Sequence, residues 1–157
     1  MDQWNRRVTL GANIGVLIGI LFLAYEVNLS RKAAIADIYQ NRAFSRSEAD
    51  LQIAISSQNF VQADVKFQRL REEYSIAEAI AQLTEEERYV VRRWHASLMI
   101  RFDNVAFQYS LGLIPEAYWQ SIVRGIQGFL PIWEEFNVVL PDTSRQMFEQ
   151  AIIESNK

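Results

Sequence analysis

His95 is the one histidine of a chain that contains no cysteine. Disulfides, thiolate metal centres and a cysteine nucleophile are therefore excluded. A zinc site, which draws on imidazole and thiolate ligands, is left with a single imidazole. A di-iron helical bundle needs Glu-x-x-His pairs on two helices, but the residue three before His95 is Arg92. The H-E-x-x-H pattern of metalloproteases is missing too. His95 follows Trp94, one step off an apolar stripe, and reads as a partly buried hydrogen-bonding residue. Glu134 and Glu135 are adjacent, so on a helix they point in different directions and do not form an acid–base pair. No phosphate-binding loop, dinucleotide glycine pattern or G-x-S-x-G elbow occurs. The expectation is a non-catalytic protein with no catalytic residue, no cofactor and no metal ligand.

The basic residues with the most suggestive spacing are Arg88, Arg92 and Arg93. They follow Glu85, Glu86 and Glu87 at salt-bridge distance along a helix, which by default makes a solvated face. With Arg101 they form the alternative, an anion or lipid-headgroup patch. The whole chain carries 16 basic and 19 acidic residues, for a net charge of -3. No cationic excess exists to neutralise phosphates, so nucleic acid is not an expected partner.

One segment dominates the elements around these residues. Residues 8–25, VTLGANIGVLIGILFLAY, carry no charge, and Asn13 is their one strongly polar side chain. Eighteen to twenty such residues, at about 1.5 Å each, roughly cover a 30 Å hydrocarbon layer. Trp4 lies outside one end and Tyr25 closes the other, where amphipathic rings favour the headgroup layer. Arg6 and Arg7 stop the run on one side, and Glu26, Arg31 and Lys32 stop it on the other. Ala34 and Ala36 have the spacing of a signal cleavage site but lie too far beyond the apolar run. The expectation is a single-pass transmembrane helix, with the lipid bilayer as its first partner; a cleaved leader and a buried core helix are the alternatives. Gly11, Gly15 and Gly19 recur every four residues and so fall on one helix face. A row without side chains lets another backbone approach closely, and Asn13 adds an interhelical hydrogen bond worth about 0.6–2 kcal/mol. Other transmembrane helices, from a second copy or a different protein, are thus expected partners. Arg31, Lys32 and Arg42 against Arg6 and Arg7 favour a cytoplasmic C-terminal domain.

The remainder reads as helical throughout. No Pro or Gly interrupts residues 20–111, so the anchor is expected to continue as one helix. Ile35, Ile38, Tyr39, Arg42 and Ala43, then Ala49 and Ile53, give it a partial stripe. The polar run Ser56 to Asn59 is the expected break. A second helix follows over 60–74, half-buried through Phe60, Val61, Asp64, Val65, Phe67 and Leu70. A short helical piece spans 75–83. Thr84 and Glu87 have the spacing of a capping box, and three carboxylates suit the positive end of the helix dipole. Behind them Val91, Trp94, Leu98, Phe102, Val105 and Tyr109 mark the face of a central core helix, with Gly112 as its C-terminal stop. Pro115 opens a helix carrying Tyr118, Ile122 and Ile126, with Trp119 and Phe129 beside them. A further short helix is expected over 131–140, and Asp142 or Thr143 caps a last helix that buries Met147, Phe148, Ala151 and Ile152. The apolar density of 126–140 reads as core; the alternative is a surface lying on the bilayer, with Trp119 and Trp133 at headgroup depth. The fold class is all-α: a transmembrane anchor, residues 1–30, continuing into a helical-bundle domain, residues 31–157.

The stretches WNRRVTLGANIGVLIGILFLAYEVNLS, LTEEERYVVRRW and FDNVAFQYSLGLIPEAYWQSI resemble a family of uncharacterised small bacterial single-pass membrane proteins. The order is similar as well: an anchor ending in Tyr-Glu, a Thr-Glu-Glu helix start, an aromatic helix ending in Gly-Leu, then a Trp helix. The chain departs from that pattern in residues 56–83 and at Glu26-Val27-Asn28. The resemblance implies a place in the bacterial inner membrane, single-pass topology and a helical domain; it implies no activity. The functional expectation is a membrane-anchored interaction protein, an accessory subunit of a larger membrane complex. A homo-oligomeric scaffold or signalling adaptor is the close variant, and a membrane-tethered enzyme or small-ligand sensor is the rival class.

Overall fold

The computed structural model describes residues 2–56 and 60–155. Among the described residues every regular element is a helix: α1 (Asp2–Ser56), α2 (Phe60–Glu73), α3 (Ile76–Ala81), α4 (Glu85–Ser110), α5 (Glu116–Ile126), α6 (Leu130–Glu135) and α7 (Asp142–Ser155). α1 runs for 55 residues, as expected from a stretch without proline. It ends at Ser56, and the rest of the expected break, Ser57 to Asn59, lies outside the described residues. The chain divides into two compact units, Met1–Asp37 and Ile38–Lys157.

Between residues 8 and 35 the apolar side chains of α1 are exposed on every side, and in the first unit Ala36 is buried. This is a helix long and apolar enough, by length and composition, to cross a membrane.

The second unit holds a single core. Phe67, Val91, Val123, Ile126, Ile132, Trp133 and Phe148 are fully buried, each contributing about 1.5–3 kcal/mol by leaving water. Its aromatic residues form a connected stack. Tyr109 lies parallel to Trp119 at 4.4 Å, Trp119 to Phe148 at 4.8 Å, and Phe102 meets Trp133 edge-on at 5.6 Å. Trp119 and Trp133 are each 2% exposed, so the bilayer-facing alternative for residues 126–140 gives way to the core reading.

Local signals explain most helix ends. Thr84 Oγ1 accepts from the Glu87 amide at 3.2 Å, and Glu87 Oε2 accepts from the Thr84 amide at 2.8 Å. Ser75 and Glu78 make the same box for α3, which the sequence reading missed. At the end of α4, Gly112 adopts φ 73°. Its amide bonds to the Tyr109 carbonyl, and the Leu113 amide to that of Gln108, a Schellman closure that needs a left-handed residue. Asn137, at φ 52°, closes α6 in the same way, with Asn137 and Val138 donating to Glu134 and Trp133. The helix expected over 131–140 therefore stops at Glu135. Pro131 sits in its first turn, whereas Pro115 is the N-cap of α5 and not its first residue. Asp142 belongs to α7 itself and does not cap it.

The buried faces also differ from those expected. On α1 the large aliphatics Ile35, Ile38 and Ile53 are exposed, as is Ala49. Within the second unit α1 instead buries Ser47, Asp50 and Ala54, with Tyr39 and Ala43 partly covered. α2 is covered at Ala63 and Phe67 while Val61 and Val65 face solvent. α5 turns inward Trp119, Val123 and Ile126, leaving Tyr118 exposed. α4 is covered almost all round: Val90, His95, Ser97, Met99, Ile100, Asp103 and Ala106 are more buried than most of the expected stripe.

Candidate functional site

Three features stand out. The first lies in the first unit, on α1. Gly11, Gly15 and Gly19 present an open row: a Cβ added to any of them would meet nothing within 4 Å. Glycine costs about 1 kcal/mol relative to alanine inside a helix, and no contact within the chain compensates for it at these three positions. Asn13 is exposed nearby, and Trp4, Arg6, Arg7 and Tyr25 are exposed on either side of the apolar run. The local hydrogen bond from Thr9 to the Asn5 carbonyl, 2.9 Å, satisfies the threonine hydroxyl in the run.

The second feature is a polar seam in the second unit, between residues 39–54 of α1 and α4. Small and polar residues at positions 39, 43, 47, 50 and 54 share one helix face. Tyr39 donates to Asp103 Oδ2 at 2.5 Å, and Ser144 of α7 donates to Asp103 Oδ1 at 2.5 Å. Ser47 donates to the Ser97 carbonyl at 3.1 Å and accepts from Arg101 Nε at 3.0 Å. Arg93 Nη1 meets Asp50 Oδ1 at 2.6 Å. Burial and the Asp103 carboxylate push the Tyr39 phenol up to about 12, so it stays protonated as a donor. None of these pairings was visible in the sequence. The polar interruptions Ser47 and Asp50, three residues apart, and Ser97 and Asp103, six apart, were the available signal.

The arginines of the expected basic patch are not brought together as free cations. Arg92 donates to the carbonyls of Phe136 and Asn137 at 3.0 and 3.4 Å, Arg93 and Arg101 join the seam, and Arg88 reaches the Leu83 carbonyl at 3.4 Å. They act as internal staples, and Arg92 fixes the turn that ends α6. Glu87 is drawn down mainly by its hydrogen bond with Lys66, at 2.7 Å, and then by the cap.

The third feature is a partly enclosed cleft of about 270 Å³, lined by Tyr39, Arg42, Ala43, Arg46, Met99, Ile100, Asp103, Val139 and Pro141. A second cleft, about 280 Å³, lies along α6 and α7 between Trp133, Glu134, Arg145 and Glu149. His95 opens onto neither. It is 2% exposed, boxed by Phe67, Phe129 and Phe136 with ring centroids 5.7–6.2 Å away. Both its nitrogens lack a partner among the described residues. It is neutral, its pKa lowered to about 4 by burial and then by the Arg71 charge. The partial burial and hydrogen bonding expected of His95 give way to full burial in an aromatic box. Among the described residues, no group of three or more His, Cys, Asp or Glu side chains is placed to hold a metal ion.

Compared with known proteins, the chain matches no family model, no curated protein sequence and no solved structure. The class it defines by itself is an all-helical protein with one long apolar helix near its N-terminus.

Proposed function

We propose that the chain is a non-catalytic, single-pass protein of the bacterial inner membrane, an accessory subunit that packs into a larger membrane assembly. In this reading residues 8–25 span the bilayer, and the helical domain of residues 38–155 stands on the cytoplasmic side against a partner surface.

The observation that supports it most is the exposure of the apolar run. Val8, Leu10, Ile14, Val16, Leu17, Ile18, Ile20, Leu21, Phe22 and Leu23 are all exposed. Each such side chain forgoes about 1.5–3 kcal/mol in water, and lipid is the solvent that removes that penalty along a whole helix. The glycine row then supplies the face on which a second helix gains close packing.

Extraction and cross-linking test both halves of this reading. The full chain is expected to stay with the membrane fraction after an alkaline carbonate wash and to leave it only in detergent. Cross-linking in intact membranes is expected to capture a partner subunit in fixed ratio, and Gly15→Ile to abolish the capture. Release by carbonate alone would overturn the span. A monomer, unchanged by Gly15→Ile, would overturn the packing face, and a self-captured dimer would make the chain a homo-oligomeric scaffold.

A further inference from the structure

The cleft on the second unit is lined by two guanidinium groups and a single carboxylate. Arg42 and Arg46 are one turn apart on α1, both exposed and both lining the cleft. Like charges at that spacing repel by about 0.2–0.5 kcal/mol. Neither arginine makes a hydrogen bond or ion pair to another described residue. By contrast Arg92, Arg93 and Arg101 on the facing helix all have partners. A carboxylate is present in the same lining, Asp103, yet its two oxygens are already taken by the Tyr39 and Ser144 hydroxyls. Asp103 keeps its negative charge while it accepts these bonds, so the lining holds two cations against one anion and is net positive.

Beneath the two arginines the wall is apolar. Met99 and Ile100 are buried there, and Val139 and Pro141 complete the apolar lining. At about 270 Å³ the space lies just below the usual range of ligand sites, about 300 to 1,000 Å³, and suits only a compact ligand. Guanidinium pairs favour planar or tetrahedral oxyanions through paired N–H···O bonds.

We propose that this cleft binds a phosphate group carried on a compact apolar body, with Arg42 and Arg46 gripping the oxyanion and the Met99–Ile100 wall holding the apolar part. The site is independent of the glycine row and of the assembly reading. Its ligand chemistry is shared by a soluble organic phosphate and by an anionic lipid headgroup, and the experiment separates the two.

The full chain is placed in nanodiscs of phosphatidylcholine and titrated with phenyl phosphate by calorimetry. Saturable one-to-one binding is expected, with Kd at or below about 1 mM. Arg42→Gln with Arg46→Gln is expected to weaken it at least about tenfold, while Arg69→Gln, on the exposed side of α2, leaves it unchanged. Inorganic phosphate is expected to bind more weakly than phenyl phosphate, because it leaves the apolar wall unused. Repeating the titration in nanodiscs containing phosphatidylglycerol identifies the source. Loss of phenyl phosphate binding there, for the unaltered chain, assigns the cleft to a lipid headgroup; retained binding assigns it to a soluble ligand. No saturable binding in phosphatidylcholine, or equal binding by the double variant, would overturn the proposal.

Discussion

Asp50 of α1 and Arg93 of α4 meet at 2.6 Å with the carboxylate side chain only 11% exposed. Removing the arginine strands a largely covered carboxylate, whereas the arginine side chain is itself 33% exposed. Arg93→Met is therefore expected to destabilise the domain by about 2–4 kcal/mol, and Asp50→Ala by less, because Arg93 is a third exposed and also lies over the Tyr89 ring. The double replacement is expected to cost less than the sum of the two. Thermal unfolding of the four chains in one detergent, followed by near-ultraviolet circular dichroism, measures the coupling. Additive losses would show that the pair contributes nothing as a pair.

Asp103 is expected to be the most sensitive polar position in the seam. Asp103→Ala leaves the Tyr39 and Ser144 hydroxyls covered and unbonded, a loss of about 2–3 kcal/mol. Tyr39→Phe, which removes a donor and keeps the stacking on Phe107 at 4.0 Å, is expected to cost only about 1 kcal/mol. Denaturant midpoints give the order; a larger effect for Tyr39→Phe than for Asp103→Ala would contradict it.

His95 makes the domain acid-sensitive. Its folded pKa is lowered to about 4, below the unfolded value of about 6.5. Between those values the unfolded chain takes up a proton that the folded chain refuses, so stability falls as pH drops from about 6.5 to 4 and levels off below. The whole loss is about 3 kcal/mol. Melting temperature measured against pH should fall through that window and flatten in His95→Leu, with any remaining slope belonging to carboxylates.

At the start of α4 the cap is expected to matter more than the ion pair. Thr84→Ala removes the acceptor for the Glu87 amide, worth about 1 kcal/mol. Lys66→Ala removes a pair whose lysine side chain is 40% exposed, worth less than about 1 kcal/mol and weakened further by salt. Unfolding at low and high ionic strength distinguishes them, because the effect of Thr84→Ala should not change with salt.

Helices and their ends were legible where the governing interaction is local. Thr84 with Glu87, and Gly112 after Leu111, announce themselves within four residues. Asn137 does the same work as Gly112, but asparagine enters the left-handed region only as a minority habit, so α6 looked longer than it is. The buried face of α1 departs from its hydrophobic pattern for a physical reason. Ile35, Ile38 and Ile53 are the residues hydrophobicity would turn inward, yet contact with α4 is made through Ala43, Ser47 and Asp50, whose small or hydrogen-bonding side chains suit that polar seam. The hydrogen bonds of Arg92, Arg93 and Arg101 were not legible because their partners, Phe136, Asp50 and Ser47, are more than forty positions away. The Arg42–Arg46 cleft was hidden likewise, since residues 139–141 are needed to close it.

The double hydrogen bond on Asp103 also sets a timetable for synthesis. Tyr39 precedes it by 64 positions, but Ser144 follows it by 41. At about 5–20 residues per second, a newly made Asp103 waits roughly 2–8 s for its second hydroxyl. Through that interval α1 and α4 are held together by only part of their seam, and the domain closes when α7 has emerged.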